Sequence, residues 1–130
     1  MSRTGKCLCG KVTFTAEPLE ILQVCHCDMC RNWCGGPYFS VPSKNAKFEG
    51  PISTFASSEF ADRGFCTNCG THLFFYAKKQ NMHGIPIGIF DDQTGLPFTA
   101  ELYTDQKPDY YEFANDTKHI TSEQFVARFR

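Results

Sequence analysis

The sequence lacks any apolar run near the roughly 18 residues that a membrane-spanning helix needs, and its first residues have no hydrophobic signal core behind them. We therefore expect a cytoplasmic protein with no membrane partner. No charge of either sign dominates, because 13 Lys and Arg residues stand against 14 Asp and Glu residues, for a formal net charge of -1. The basic residues are scattered instead of clustered, which argues against a nucleic-acid partner.

Internal repeats, low-complexity tracts and linkers are also absent, so we expect one domain over residues 1–130. Large β-forming side chains, in contrast, are abundant. Hydrophobic residues make up 42% of the chain and aromatic residues 15%, with 13 Phe. This composition predicts a mainly β fold. Residues 10–17 alternate apolar and polar side chains, as a half-buried strand does.

Three local patterns predict how the chain is connected. Residues 44–49 and 52–57 flank a Gly-Pro pair, which predicts a hairpin between two strands. Near the C-terminus, Thr121 is followed three residues later by Gln124, a capping pattern that predicts a short helix. The cysteine-rich stretch 25–31 lies between predicted strands, and we expect it to be a loop.

Eight cysteines are the strongest chemical signal in the chain. Their short C-x-C and C-x-x-C spacings indicate metal binding instead of disulfides in a reducing compartment. Cys25, Cys27 and Cys30, the three-cysteine cluster, are too crowded to pair comfortably with one another but well spaced to converge on one ion. We interpret them as a zinc site with a free coordination position, which is how catalytic zinc differs from structural zinc.

Four further cysteines form two short pairs that can together close a tetrahedral structural site. This four-cysteine cluster consists of Cys7, Cys9, Cys66 and Cys69. The eighth cysteine, Cys34, admits three interpretations: a fourth ligand for the three-cysteine cluster, the partner of a redox disulfide with Cys27 or Cys30, or a free thiol. Its spacing allows ligation, but we favour a thiol that does not bind the metal.

Three side chains border the three-cysteine cluster. His26 could ligate zinc or move a proton near neutral pH. Because both of its neighbours are ligands, we expect its ring to point away from the ion and to have a structural role. Arg31 could receive a substrate carboxylate or offset the thiolate charge, and the sequence favours neither. Trp33 is expected to be part of the hydrophobic cover of the metal loop.

Three segments together carry a family signature. They are Cys7-x-Cys9-Gly10-x-Val12, Cys25-His26-Cys27-x-x-Cys30-Arg31 and Arg63-Gly64-Phe65-Cys66-x-x-Cys69-Gly70-Thr71-x-Leu73-Phe74. As a set they resemble the glutathione-dependent formaldehyde-activating enzyme family, which includes centromere protein V. The resemblance implies a β-tent of stacked antiparallel sheets with zinc sites in loops. It also implies two zinc ions per chain, a structural one on the four-cysteine cluster and a catalytic one on the three-cysteine cluster.

The same resemblance implies a reaction, in which glutathione adds to formaldehyde to give S-(hydroxymethyl)glutathione, or a carbon–sulfur lyase cleaves that adduct. The partners would be a small thiol such as glutathione and an aldehyde, with the thiol filling the open position of the catalytic zinc. Two alternatives stay open. One is a non-catalytic zinc-stabilised scaffold or protein-binding module, and the other is a thiol redox sensor built on Cys27, Cys30 and Cys34.

Overall fold

The computed structural model describes residues 1–128, which contain ten β-strands, two α-helices and two 3-10 turns. The strands are β1 (Arg3–Lys6), β2 (Thr13–Pro18), β3 (Leu22–Cys25), β4 (Tyr38–Glu49), β5 (Ile52–Ala56), β6 (Ala61–Cys66), β7 (His72–Ala77), β8 (Met82–Pro86), β9 (Phe98–Leu102) and β10 (Lys118–Ile120). The helices are α1 (Asp28–Cys34) and α2 (Ser122–Ala127), and the 3-10 turns are Ile87–Ile89 and Thr104–Gln106. The expectation of a mainly β fold is confirmed.

The ten described strands join one mixed sheet, in the order β10-β9-β3-β4-β8-β7-β6-β5, with β2 pairing on β4 and β1 on β2. The centre of the sheet is β4, whose 12 residues pair with β2, β3 and β8. Most pairings are antiparallel, as expected, but β3 with β9 and β9 with β10 are parallel. The parallel pair places Cys25, at the end of β3, opposite Leu102 at the end of β9.

The predicted hairpin between residues 44–49 and 52–57 is wrong. Residues 44–49 lie in β4 and pair with β2, whereas β5 pairs with β6. Gly50 has a φ of 129°, and a Cβ there would lie 2.3 Å from the carbonyl oxygen of Lys11. The Gly-Pro turn therefore packs closely against the β1–β2 connection. A turn signal shows where the chain bends, but the strand partner is chosen by more distant contacts.

The hydrophobic core anchors one side of the four-cysteine cluster. Phe14 stacks on Phe48 with 5.0 Å between ring centroids, and it meets Phe90 edge-on at 5.2 Å. Burial of each such ring contributes roughly 1.5–3 kcal/mol. Cys7 and Cys66 belong to the same core cluster and are almost completely buried. The core therefore holds the ends of β1 and β6, which carry these cysteines, at a fixed separation.

Helix α1 occupies the stretch that we expected to be a loop. We expected both cysteine clusters to lie in loops, and this expectation is wrong for the three-cysteine cluster. The helix begins after Cys27, its N-cap residue, and ends at Cys34. Gly35 then takes a left-handed conformation with a φ of 82°. Seven residues span only two helical turns, too few for a periodic apolar pattern to be visible in the sequence.

Helix α2 confirms the predicted C-terminal helix, whose last expected apolar residue, Phe129, lies outside the described residues. The Thr121 hydroxyl accepts a hydrogen bond from the Gln124 N–H at 3.2 Å, and the Gln124 side chain accepts one from the Thr121 N–H at 2.9 Å. This reciprocal capping box satisfies two N–H groups that the helix itself cannot. No helix within residues 1–128 is long and apolar enough to cross a membrane.

Candidate metal centres

The four-cysteine cluster lies where two turns of the sheet meet. Cys7 and Cys9 belong to the turn after β1, whereas Cys66 is the last residue of β6 and Cys69 lies in the turn that follows it. All four sulfur atoms lie within 4.8 Å of one another, and Cys9 Sγ is 3.5 Å from Cys7 Sγ and 3.8 Å from Cys66 Sγ. Zinc–sulfur bonds of about 2.3 Å place tetrahedral sulfur ligands about 3.8 Å apart. The four thiols can therefore hold one metal ion.

Two glycines allow the turns of this cluster to close. Gly10 follows Cys9 with a φ of 80°, and Gly70 follows Cys69 with a φ of 81°, in the left-handed region that favours glycine. The N–H of Gly70 donates to the carbonyl oxygen of Cys66 at 2.8 Å, which completes the C-x-x-C turn. In each turn, the cysteine thus supplies a ligand and the glycine after it allows the backbone conformation that the turn requires.

Hydrogen-bond donors inside these turns favour the thiolate forms of Cys7 and Cys69. The N–H of Val12 donates to Cys7 Sγ at 3.3 Å. Hydrogen bonds from the hydroxyl and the backbone N–H of Thr71 lower the pKa of Cys69 to about 5. A thiol must lose its proton before it can bind a metal ion, so these donors prepare the cluster for ligation.

The three-cysteine cluster lies where β3 passes into α1. Cys25 is the last residue of β3, Cys27 is the N-cap of α1, and Cys30 is buried in the first helical turn. Their sulfur atoms lie within 4.8 Å of one another, and this group contains no fourth ligating side chain from the described residues. The three thiols can therefore hold a metal ion that keeps a coordination position for another molecule.

Cys27 is the thiol in this cluster that ionises first. Hydrogen bonds from the thiols of Cys25 and Cys30 lower the pKa of Cys27 to about 2, and the backbone N–H of Cys30 donates to its sulfur at 3.3 Å. The start of a helix favours negative charge because its first N–H groups have no partner within the helix. The same interactions raise the pKa of Cys25. These contacts therefore favour the thiolate form at Cys27 over that at Cys25.

His26 is fully buried, and both of its ring nitrogens have partners outside the cluster. Nδ1 lies 2.5 Å from the hydroxyl of Tyr111, and Nε2 lies 2.8 Å from Oε1 of Glu101. Burial raises the pKa of Glu101, but hydrogen bonds from Thr117 and His26 outweigh this and lower it overall, so the carboxylate is charged at neutral pH. A carboxylate can only accept, and in the neutral ring Nε2 donates to it while Nδ1 accepts from Tyr111. The ring ties the cysteine-rich segment to β9 and to the C-terminal region.

Replacing Glu101 with leucine is expected to destabilise the protein by about 3 kcal/mol, because the buried donors of His26 and Thr117 would lose their acceptor. Urea unfolding of the native and variant proteins measures this difference. Tyr111→Phe is the matched control, since it removes a single hydrogen bond and should cost about 1 kcal/mol. Equal stability of Glu101→Leu and the native protein would contradict the structural role of this network.

The observed contacts of Arg31 are with backbone oxygen atoms and with one neighbouring carboxylate. Its Nε donates to the carbonyl oxygen of His26 at 2.8 Å, and its Nη2 donates to the carboxylate of Asp28 and, at 3.3 Å, to the carbonyl oxygen of Gln106. These contacts fasten α1 to the 3-10 turn after β9. Arg31 therefore stabilises the backbone around the cluster.

Cys34 lies outside the three-cysteine cluster. Its thiol donates to the carbonyl oxygen of Cys30 at 3.0 Å and to that of Gly36 at 3.1 Å. Trp33, its neighbour in α1, stacks on His72 with 4.8 Å between ring centroids, as expected for hydrophobic cover. Cys34 and His72 also line a cavity of about 490 Å³ beside the helix. This volume is sufficient for a small organic molecule.

Arg63 begins one of the family motifs, but sequence reasoning gave it no role, and it contacts the three-cysteine cluster from β6. Only 2% of its surface is exposed, and its Nη2 lies 3.5 Å from Cys30 Sγ. One signal could have found it: alternation along the strand places Arg63 on the same face as the buried Ala61. A charged residue at a core-facing strand position indicates a buried partner of opposite charge.

The fold and the two clusters define a class of mainly β proteins with two cysteine centres that can hold metal ions, one with four sulfur ligands and one with three. Within that class, this chain belongs to the glutathione-dependent formaldehyde-activating enzyme family, whose model matches residues 2–106. The resemblance that the sequence motifs carry is thereby confirmed.

Two further proteins are similar to this chain. A protein described as an uncharacterized lyase from Schizosaccharomyces pombe is 39% identical over 129 residues, which cover 94% of this chain and 93% of the relative. A crystal structure of a Rhodobacter sphaeroides protein superposes with a TM-score of 0.59 at 20% identity, over 74% of this chain and 99% of that one. The second likeness supports the fold alone. Tyr111 and Thr117, which complete the His26 network, lie beyond the family match.

Proposed function

We propose that this protein is a zinc-dependent carbon–sulfur lyase that forms and cleaves the adduct of a small thiol and an aldehyde, as an S-(hydroxymethyl)glutathione synthase does. Membership of the formaldehyde-activating family supports glutathione and formaldehyde as the substrates. Similarity to a relative described as a lyase supports the reaction type. Eight free cysteines are typical of a reducing compartment, so we place the protein in the cytoplasm.

Both cysteine clusters fit zinc, which prefers sulfur ligands in tetrahedral geometry. The four-cysteine cluster would hold a structural ion, since it can fill all four positions itself. Cys25, Cys27 and Cys30 would hold the catalytic ion. The observation that carries the proposal is this group of three sulfur atoms together with the position of Cys34, whose thiol donates to two carbonyl oxygens. A position is thereby left for the sulfur of a substrate.

The proposed reaction needs little from the protein besides a thiolate held near an aldehyde. A zinc ion in the cluster would lower the pKa of a bound thiol. The sulfur lone pair forms the new bond to the carbonyl carbon, the C=O π electrons move to oxygen, and the thiol proton ends on that oxygen. Cleavage reverses these steps. Cys25, Cys27 and Cys30 would hold the metal ion to which the reacting sulfur binds, so proximity of the thiolate to the aldehyde is the main source of acceleration.

The test is the exchange rate between formaldehyde plus glutathione and their adduct, measured by NMR with native protein and in buffer. We expect the zinc-loaded protein to accelerate exchange, because a zinc-bound substrate thiol would lose its proton near neutral pH. Mild chelation should remove one zinc ion and the acceleration together, and added zinc should restore both. Two chelator-resistant zinc ions with no acceleration would overturn the proposal and favour the scaffold or protein-binding module.

A further inference from the structure

Arg63 presents an uncompensated positive charge to the protein interior. Its guanidinium lies 5.0 Å from the ring centroid of Phe75 and 5.9 Å from that of Trp33, with 2% of the residue exposed. A guanidinium stays protonated in proteins. Moving such a charge out of water costs several kcal/mol unless an opposite charge lies close to it. The burial of Arg63 therefore requires a negative partner.

No carboxylate supplies that partner. Within residues 1–128, the ion pairs of 4.0 Å or less do not include Arg63. Its Nη2 instead donates to Cys30 Sγ at 3.5 Å, and its buried Nε–H has no hydrogen-bond partner among the described residues. The Cys34 thiol and the Tyr38 hydroxyl also lie near enough to feel the charge of the guanidinium, but the acidic group that it contacts is the Cys30 thiol of the three-cysteine cluster.

The charges of this cluster match a single arginine. Three thiolates around a divalent ion carry one net negative charge, which one guanidinium balances. The four-cysteine cluster has neutral hydrogen-bond donors instead: its sulfur atoms receive hydrogen bonds from the N–H of Val12 and the hydroxyl of Thr71. Its Cys9 is also exposed to solvent. Among the described residues, an arginine contact distinguishes the three-cysteine cluster from the four-cysteine cluster.

We propose that Arg63 is the counter-ion of the three-cysteine cluster and that its charge allows an anionic fourth ligand, the thiolate of a substrate, to bind there. With Arg63 in place, the metal-loaded cluster is electrically neutral before the thiolate arrives. Without it, the incoming thiolate meets a site that is already negative, so metal retention and thiol binding both weaken. Arg63 is a positioning residue, since it acts through Cys30 and the cluster. The inference rests on the proposed metal assignment and not on the lyase reaction.

The first test compares Arg63→Met, which removes the charge at similar length, with Arg63→Lys, which keeps it. Zinc-loaded proteins are titrated with a chromophoric chelator, so that the affinity of each cluster is measured separately. We expect Arg63→Met to weaken zinc binding at the three-cysteine cluster by about 10- to 100-fold. The four-cysteine cluster should retain its ion, which also reports that the variant is folded. Native-like zinc affinity of the three-cysteine cluster in Arg63→Met overturns the inference.

The second test measures ligand binding directly. Cobalt-loaded proteins are titrated with 2-mercaptoethanol, and the change in visible absorption gives the apparent Kd for the thiol. This Kd should rise at least about tenfold in Arg63→Met and only a few-fold in Arg63→Lys. If Arg63→Met does not fold, the lysine variant decides, because the inference requires charge and not guanidinium shape. Loss of thiol binding in a folded Arg63→Lys protein then overturns it.

These measurements separate the inference from the proposed function. Zinc affinity and cobalt absorption are measured without turnover, so they can support the role of Arg63 even if glutathione–formaldehyde exchange is not accelerated. The opposite result is also possible. If the native protein accelerates exchange but Arg63→Met binds metal and thiol as the native protein does, the proposed lyase function is supported and the counter-ion role of Arg63 is rejected.

Discussion

Cys66→Ser is expected to prevent the protein from folding. Cys66 is fully buried, and its sulfur lies within 4.8 Å of the other three sulfur atoms of the four-cysteine cluster. A structural zinc site contributes about 10–16 kcal/mol to folding. The net stability of a domain is only about 5–15 kcal/mol, so loss of the site removes most or all of it. Circular dichroism should show no cooperative thermal transition.

The control for this experiment is Cys34→Ser. The Cys34 thiol lies outside both clusters and donates to two carbonyl oxygens, and a serine hydroxyl can also donate there. We expect Cys34→Ser to keep two zinc ions and a Tm close to that of the native protein. A Cys66→Ser protein with a native-like Tm would contradict the structural role of the four-cysteine cluster.

Cys27→Ser is expected to reduce adduct exchange to the rate in buffer while the fold persists. Cys27 contributes both a sulfur to the three-cysteine cluster and the N-cap of α1. Serine is a favourable N-cap residue, so the substitution keeps the start of the helix and removes the thiolate. We expect two zinc ions in the native protein and one in the variant. Metal analysis, circular dichroism and the NMR exchange rate together test this expectation.

Cys34→Ser again supplies the matched control, because Cys34 lies in the same helix but outside the cluster. It should keep both the second zinc ion and the accelerated exchange. If Cys27→Ser exchanges the adduct as fast as the native protein does, the three-cysteine cluster is not the catalyst. If Cys34→Ser loses the acceleration, the role proposed for the open coordination position is wrong.

Short-range chemistry could be predicted because the interacting groups are close together in the chain. The C-x-C and C-x-x-C spacings divided the cysteines into the same groups of four and three that the fold assembles. The Thr121–Gln124 capping box connects residues only three positions apart, and it was also predicted correctly. Helix α1 was missed because its seven residues are stabilised at Cys27 and by packing, and they show no periodic pattern of their own.

Long-range contacts around the three-cysteine cluster could not be predicted from the sequence. Arg63 is 33 positions from Cys30, and Glu101 and Tyr111 are 75 and 85 positions from His26. Each contact requires strands that are distant in the chain to become neighbours, as when β3 pairs in parallel with β9. Local patterns fix side-chain alternation and turns, but they do not fix strand partners.

The sequence by itself therefore determined the mainly β class, the family motifs and the division of the cysteines, because each depends on composition or on spacings of a few residues. Tertiary structure alone decided what surrounds those cysteines. It replaced the predicted hairpin with pairing of β4 to β2 and of β5 to β6. It also placed Arg63 against Cys30, because burial and charge compensation are set by groups that meet only after the sheet has formed.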